Sequence, residues 1–372
     1  MKLGNYVTIR TGKLDANAAN RDGKYPFFTC SSEPLRINSY SFDCECVLVA
    51  GNGELNAKYY NGKFDAYQRT YIIESKNEKL DTKYLYYYFV NYIKELRKQA
   101  IGGVIKYIKL GNLTDAEIKL PDKETQISIV NELLKINSEI ENCNKNLKSL
   151  EELTKSRFNE MFGSINNEHS FKECSLGDEI TTLADFSANG SYAKLDSNVK
   201  MYDEPNFAWM VRTTDLENEN FIDIKYIDEK AYNLLSKSKL YGNELIMCKI
   251  GSAGKIYLMP KVDRPASLGR NAFLIKFNEQ TVNMTYLFAY LNTYDLQKDI
   301  QQRVKGAVTK TITKDEVRSI PLILPPKSLQ DEYSSFVEQI DKLKFNVQKQ
   351  IKYYQELLDL KMHEYFDVEE ED

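Results

Sequence analysis

Histidine is nearly missing from this chain: 372 residues contain two, His169 and His363. The first lies in an apparent linker and the second near an acidic end, and no Cys or Ser nucleophile has a His base in a recognisable arrangement. That argues against triad hydrolysis. No GxxxxGK[ST] loop and no HExxH is present, which removes P-loop nucleotide hydrolysis and the zincin pattern. The six cysteines (Cys30, Cys44, Cys46, Cys143, Cys174, Cys248) make no CxxC pair and no zinc spacing, so buried reduced thiols are expected. The Asn/Asp/Ser-Pro-Pro-aromatic tetrapeptide of base-modifying amino-methyltransferases is absent too. Pro325-Pro326 runs into Lys327, and Glu204-Pro205-Asn206-Phe207 lacks the second proline. No run is long enough for a membrane span, and MKLGNYVTIR has no signal-peptide core, so a cytoplasmic protein without a membrane contact is expected. A surplus of either charge is lacking as well. Lys and Arg number 50 against 54 Asp and Glu, so any contact with nucleic acid must rest on locally gathered basic residues.

What the chain has is duplication. Leu3-Gly4 recurs as Leu176-Gly177-Asp178, VLVAGNG (47–53) as LIMCKIGSAGK (245–255), and KYLYYYF (83–89) as TYLFAYL (285–291). IGGVIKYI (101–108) recurs as KGAVTKTI (305–312), and IKLPDKETQISIV (118–130) as LILPPKSLQDEYSSF (322–336). Five matches in one order, the last four at a nearly constant offset, mark two diverged copies of one module. The second copy carries extra residues before its glycine loop, in the region Asp203–Lys239.

Each copy has a head and a tail. The heads hold short β-like runs (YPFFTC, CVLVAG, RTYIIE; FAWMV, NELIMCKI, AFLI), which predict a compact, mainly antiparallel sheet with a few helices, an α+β class. Helices are expected over Thr82–Gln99 and Thr281–Gln302. The first tail has neither Pro nor Gly from Glu124 to Phe162. Its apolar residues fall at Val130, Leu133, Ile136, Ile140, Cys143, Leu147, Leu150 and Leu153, in steps of three and four. The second stripe is Phe336, Ile340, Leu343, Val347, Tyr354, Leu357 and Lys361, interrupted by Gln350. Such stripes need partners. The two tails are expected to pair as antiparallel coiled-coil helices, carrying the heads to opposite ends of a spacer. The expected domains are 1–121, a spacer helix 122–163, 164–325, and a second spacer helix with an acidic tail, 326–372.

VLVAGNGELNAKYYNGKFDAYQRTY (47–71) poses the functional question. A strand entering Gly51-Asn52-Gly53 resembles the mouth of a cofactor site, but such a turn must open into a helix. Here Asn61-Gly62 signals a hairpin and another strand follows. A binding role explains more. Asn52, Glu54, Lys58, Tyr59, Tyr60, Gln68 and Arg69, with Ser31, suit contact with base edges in the first copy. Arg212, Thr213, Lys249, Ser252, Lys255, Ser267, Arg270 and Asn271 suit it in the second. The loops ending in Lys106 and Lys310 suit phosphate. The same residues also suit solvated turns.

Head plus helix, twice, resembles the specificity subunit of type I restriction–modification systems. The resemblance rests on Leu3-Gly4, Gly23-Lys24-Tyr25-Pro26-Phe27, the glycine loop with Gln68-Arg69, Gly102…Lys106 and Leu120-Pro121…Gln126-Ile129-Val130. In the second copy it rests on Leu176-Gly177-Asp178, Val211-Arg212-Thr213-Thr214-Asp215, Gly251-Ser252-Ala253-Gly254-Lys255, Gly306…Lys310 and Leu324-Pro325-Pro326…Gln330. It implies two target-recognition domains reading a bipartite site in double-stranded DNA, with helices that set the gap. It implies two methyltransferase subunits using S-adenosylmethionine on adenine N6, and motor–nuclease restriction subunits. The chain itself is then non-catalytic and holds no cofactor and no metal. Tyr333 departs from the pattern, standing where the family has an aliphatic residue. The rival expectations are a self-contained methyltransferase or nuclease, and a coiled-coil adaptor that binds proteins through its heads.

Overall fold

The computed structural model describes residues 1–163, 171–217, 221 and 223–367. His169, the start of the expected second recognition domain (164–170) and the acidic residues 368–372 lie outside the described residues. The chain divides into two units, Met1–Leu147 with Asn346–Asp372, and Lys148–Phe345.

In the first unit, six strands form one sheet: β1 (Val7–Thr11), β2 (Tyr25–Phe28), β3 (Leu35–Ile37), β4 (Phe42–Ala50), β5 (Ala57–Ala66) and β6 (Thr70–Ser75). Their order is β1-β6-β4-β5-β2-β3, antiparallel except where β2 runs parallel to β5. The glycine loop leaves the end of β4, a strand buried on both faces. Side-chain alternation explains how. Val47 and Val49 join Ile73 under helix α1 (Thr82–Gln99), among Tyr84, Leu85 and Tyr88. Cys46 and Leu48 point the other way, into Phe28, Phe64 and Ile72. Helix α1 starts where expected because Asp81 caps it, accepting from Lys83 and Tyr84 N–H at 2.9 and 3.1 Å. A short helix, α2 (Leu110–Thr114), and the long α3 (Lys123–Phe162) follow.

Asn61-Gly62 is not a hairpin. Strand β5 runs straight through it, with Asn61 opposite Glu45 and Gly62 opposite Cys44. Gly62 takes a φ of +133° within the strand, so this glycine serves a local distortion of the strand and not a chain reversal. The reversals fall at 51–56 and 67–69.

The second unit enlarges the plan. It adds β7 (Lys172–Ser175), α4 (Leu176–Glu179), β8 (Ile180–Asp185), α5 (Tyr192–Asn198), β9 (Ala208–Val211), α6 (Thr213–Glu217), β10 (Lys225–Ile227), α7 (Glu229–Leu234) and β11 (Lys239–Leu240). There follow β12 (Leu245–Cys248), β13 (Ile256–Leu258), β14 (Ala266–Leu268), β15 (Ala272–Phe277), α8 (Met284–Leu291), α9 (Tyr294–Arg303), α10 (Lys314–Arg318), β16 (Pro321–Leu324) and α11 (Lys327–Phe366). The glycine-loop strand β12 lies in the sheet β13-β12-β15-β8, and the extra segment supplies β9, β10 and β11 of a further sheet, β10-β9-β14-β11. Alternation again splits β12. Leu245 and Met247 enter the core containing Tyr286, and Ile246 enters that of Leu240 and Leu268. The helix expected over Thr281–Gln302 is two helices, because the chain turns at Asn292-Thr293 before Tyr294 restarts it.

The copies agree in detail. Tyr84 and Tyr88 donate their hydroxyls to Lys119 O and Glu117 O, both at 3.0 Å. Tyr286 and Tyr290 donate to Ile323 O and Pro321 O at 2.7 and 3.3 Å. Tyr333 is buried and packs edge-on against Phe158 and Phe162, so the aromatic substitution fills a core position.

The long helices α3 and α11 have 40 residues each, about 60 Å at 1.5 Å per residue. In the first unit, Glu132 meets Lys361 and Tyr365, and Cys143 meets Gln350. As numbering rises on one helix it falls on the other, so the segments run antiparallel. In the second unit, Arg157 meets Glu332 at 2.9 Å and lies over Phe336. Along the long helices, the first unit buries Leu133, Ile136 and Cys143 and half-buries Ile140, Leu147, Val347, Tyr354 and Leu357, while the second buries Ile340 and half-buries Leu150 and Phe336. Two expected members of the second unit's seam are off it: Leu153 is 48% and Leu343 50% exposed. The seam advances from Leu150 to Thr154 and from Ile340 to Lys344, steps of four that leave Leu153 and Leu343 turned outward.

Candidate nucleic-acid interface

Three segments remote in sequence meet at the first glycine loop. Gly51 N–H donates to Arg69 O at 2.8 Å, Gly53 N–H to Lys106 O at 2.9 Å, and Ile108 N–H to Gly51 O at 2.9 Å. A Cβ on Gly51 would lie 2.4 Å from Arg69 O, so the approach as the first head makes it leaves room for glycine alone. A fourth segment joins through Asn56, whose amide donates to Cys30 O at 2.9 Å, beside Ser31. The fold therefore gathers Ser31, Asn52, Gln68, Arg69 and Lys106. Ser31, Gln68, Arg69 and Lys106 are exposed and Asn52 is half-buried. Among the described residues, none of these five side chains makes a hydrogen bond or ion pair within the chain.

Lys58 lies beside the cluster. Burial pulls its ammonium below the ordinary lysine range, against nearby Cys30 and Glu33, and it donates to Asn56 Oδ1. Tyr59, next along β5, projects from the opposite face. Its hydroxyl donates to Glu45 at 2.7 Å, its ring packs against Tyr86 and Lys83, and burial followed by Glu45 pushes the phenol up to about 12. Tyr59 thus belongs with α1 and not with the cluster.

The second loop is built on the same bonds. Lys249 N–H donates to Asn271 O at 2.7 Å, Gly251 N–H to Lys310 O at 3.0 Å, and Ile312 N–H to Lys249 O at 3.1 Å. This pattern pairs Gly51 with Lys249, Arg69 with Asn271 and Lys106 with Lys310. Asn271 adopts φ +71°, the left-handed region that asparagine tolerates best among residues with a side chain. Exposed Ser252, Asn271 and Lys310 have no hydrogen bond or ion pair from their side chains among the described residues.

The other four candidate cations of the second head, Arg212, Lys249, Lys255 and Arg270, are engaged. Arg212 grips buried Asp215 with Nε at 3.1 Å and Nη2 at 2.5 Å, which raises its pKa further, and it also donates to Asp223 O. Lys249 pairs with Asp185 at 2.7 Å, and Lys255 pairs with Glu217. Arg270 pairs with Asp196 at 3.1 Å between the rings of Phe186 and Tyr192. Half-buried Thr213 lies against the Cys248 thiol. Ser267 is misassigned as a reader. It is 0% exposed in β14, with its hydroxyl 3.1 Å from that of Ser238, because the alternation of this short, wholly buried strand leaves it no solvent face. The acidic partners were missed in the sequence. Only Asp215, at three residues from Arg212, left a local signal there.

The glycine loops do not suit a methyl donor or dinucleotide. Each opens into a strand, β5 or β13, and not a helix. The amides of Gly51, Gly53 and Gly251 are already spent on backbone carbonyls. Among the described residues, no helix is long and apolar enough to cross a membrane.

Comparison with known proteins converges on one group. A family model for the type I restriction modification DNA specificity domain matches residues 1–152 and 179–353. The EcoDI specificity subunit of a type I restriction enzyme from Escherichia coli is 41% identical over 155 residues, 42% of this chain and 34% of that protein. The MjaVIII specificity subunit from Methanocaldococcus jannaschii is 22% identical over 92% of this chain and 86% of its own length. In structure, the chain resembles the type I restriction–modification S subunit from M. genitalium with a TM-score of 0.61 and 17% identity, covering 100% of this chain and 96% of that one.

Proposed function

Because this chain belongs to the type I restriction–modification DNA specificity family, we propose that it reads a bipartite DNA site and directs partner subunits to it. The observation that carries this reading is the duplicated convergence of a glycine loop, a second turn and a lysine-bearing loop, once in each head. Side chains at such a junction offer the groups that distinguish bases: arginine for guanine, and asparagine or glutamine for adenine. Lys106 and Lys310 offer charge to phosphate. The long helices α3 and α11 set the gap between the half-sites.

The chemistry resides in the partners. Two methyltransferase subunits bring S-adenosylmethionine and methylate adenine N6, and motor–nuclease subunits cut unmethylated DNA. The chain contributes recognition without catalysis, in the cytoplasm. The occupied glycine amides support keeping the methyl donor off this chain.

The test is co-expression with the cognate methyltransferase subunit in a host free of other adenine methylation, followed by methylome sequencing. Methylation at one split sequence is expected. An adaptor that binds only proteins would leave the methylome unchanged, and methyl transfer by the chain alone would favour a self-contained enzyme.

A further inference from the structure

Gln126 and Gln330 are wholly buried, and neither takes part in the loop clusters. The Gln126 side-chain amide donates to Lys79 O at 2.7 Å and Pro121 O at 2.8 Å, and its Oε1 accepts from Asp81 N–H at 2.8 Å. Gln330 repeats the set. It donates to Thr281 O at 2.9 Å and Pro325 O at 2.8 Å, and accepts from Asn283 N–H at 2.8 Å.

Asp81 and Asn283 are the N-caps of α1 and α8. Each glutamine therefore joins the first turn of a long helix both to the start of its head's helix and to the proline-bearing connector between them. The tyrosine hydroxyls close the third side, because Tyr84 and Tyr88, or Tyr286 and Tyr290, bind connector carbonyls. Head helix, connector and long helix form a triangle in each unit. Apolar packing alone is non-directional and lets packed elements rock. A triangle closed by buried hydrogen bonds cannot pivot without leaving a polar group unpaired.

We infer that Gln126 and Gln330 are positioning residues that fix the angle at which each head leaves its long helix, and so hold the gap between the two half-sites to one value. This rests on the reading of the chain as a bipartite DNA specificity subunit.

The experiment uses the full chain with its methyltransferase partner, carrying Gln126→Met and Gln330→Met together, since methionine keeps the volume and removes the bonds. Adenine methylation is mapped on sites whose gap is natural, or one base pair longer or shorter. The half-sites should stay the same. Methylation at the altered gaps should rise about fivefold relative to the natural gap, the ratio one net hydrogen bond is worth. Unchanged gap discrimination, with only a lowered melting temperature, would overturn the inference, and so would altered half-sites. Wild type that methylates no split sequence would sink the functional reading instead. Hydrogen exchange on the wild-type chain tests the joint by itself. The Asp81 and Asn283 amides should exchange far more slowly than loop amides beside them, and fast exchange at either overturns the proposal whatever the variants do.

Discussion

The two heads share the backbone bonds of their glycine loops and differ in electrostatics. In the first, the gathered side chains of Gln68, Arg69 and Lys106 are exposed and unengaged. In the second, Arg212, Lys249, Lys255 and Arg270 each hold a carboxylate. A free arginine can take a guanine or a phosphate at the cost of its own ordering. A paired one must first release its acid, and what it loses is set by the pair's exposure. The Arg270–Asp196 pair is about half exposed, the class worth about 0–1 kcal/mol. The Arg212–Asp215 pair, with Asp215 buried, is structural. Among the candidate cations, then, Arg69 and Lys106 of the first head and Lys310 of the second are open as they stand, whereas Arg212, Lys249, Lys255 and Arg270 are tied to acids of the enlarged fold.

Four experiments sharpen or break that contrast. The largest effect is expected from Arg69→Ala, which should weaken the first half-site by about 1–3 kcal/mol if the contact is bidentate to guanine. Arg270→Ala should cost the second half-site less, because the wild-type residue gives up Asp196 to bind. Titrations of the reconstituted complex on altered half-sites measure both, and an equal or larger loss at Arg270 would erase the contrast. Next, Lys106→Ala and Lys310→Ala should behave alike, since both lysines are free. Each should weaken binding on all sequences and lower the slope of log affinity against log salt by about 1. A sequence-dependent loss at either would reassign it to base contact. Asp196→Asn, in turn, should release Arg270, tighten binding at low salt and steepen that same slope. A loss of affinity would mean that Asp196 itself meets the DNA or orders the loop.

The smallest effect concerns acid. Helix α10 begins with a capping box in which Glu316 accepts from Thr313 N–H at 2.8 Å. Lys305 first, and Thr313 second, hold the Glu316 carboxyl down to about 2. A depressed carboxylate contributes stability above the ordinary glutamate range, and that contribution fades as pH falls toward about 2. In the first unit the matching position of α2 is Asn112, whose Oδ1 accepts from Lys109 N–H at 2.7 Å and does not titrate. Hydrogen exchange, corrected for intrinsic rates, should show α10 loosening between pH 4.5 and 2 more than α2. Glu316→Gln should remove the difference.

Much of this architecture was legible because local chemistry dictates it. The bounds of α1 follow from Asp81 and an apolar helical period, and the duplicated order gave the two heads before any geometry. The errors fell where tertiary contacts overrule local signals. Asn61-Gly62 has turn chemistry, yet pairing with Asp43–Cys46 keeps it in a strand. Ser267 looked like a polar reader, and its neighbours wall it in. Leu153 and Leu343 satisfied a seven-residue pattern that the seam leaves after Leu150 and Ile340. Of the candidate readers, position along the chain found most of those that cluster, but not which cations are free. Asp185 and Asp196 lie 64 and 74 residues from the basic groups they hold, a distance over which no sequence period speaks.

The bond from Gly51 to Arg69 also bears on how a new specificity can be reached. Ser31, Asn52 and the adjacent pair Gln68-Arg69 hang from three segments, yet one glycine amide and its neighbours hold those segments in register. A randomised library that varies the four side chains together while keeping Gly51 should be rich in folded members. One that varies Gly51 as well should be poor in them, because a Cβ has no room there. Evolvability in this head is a property of the side chains, and the glycine is the constant that makes their variation affordable.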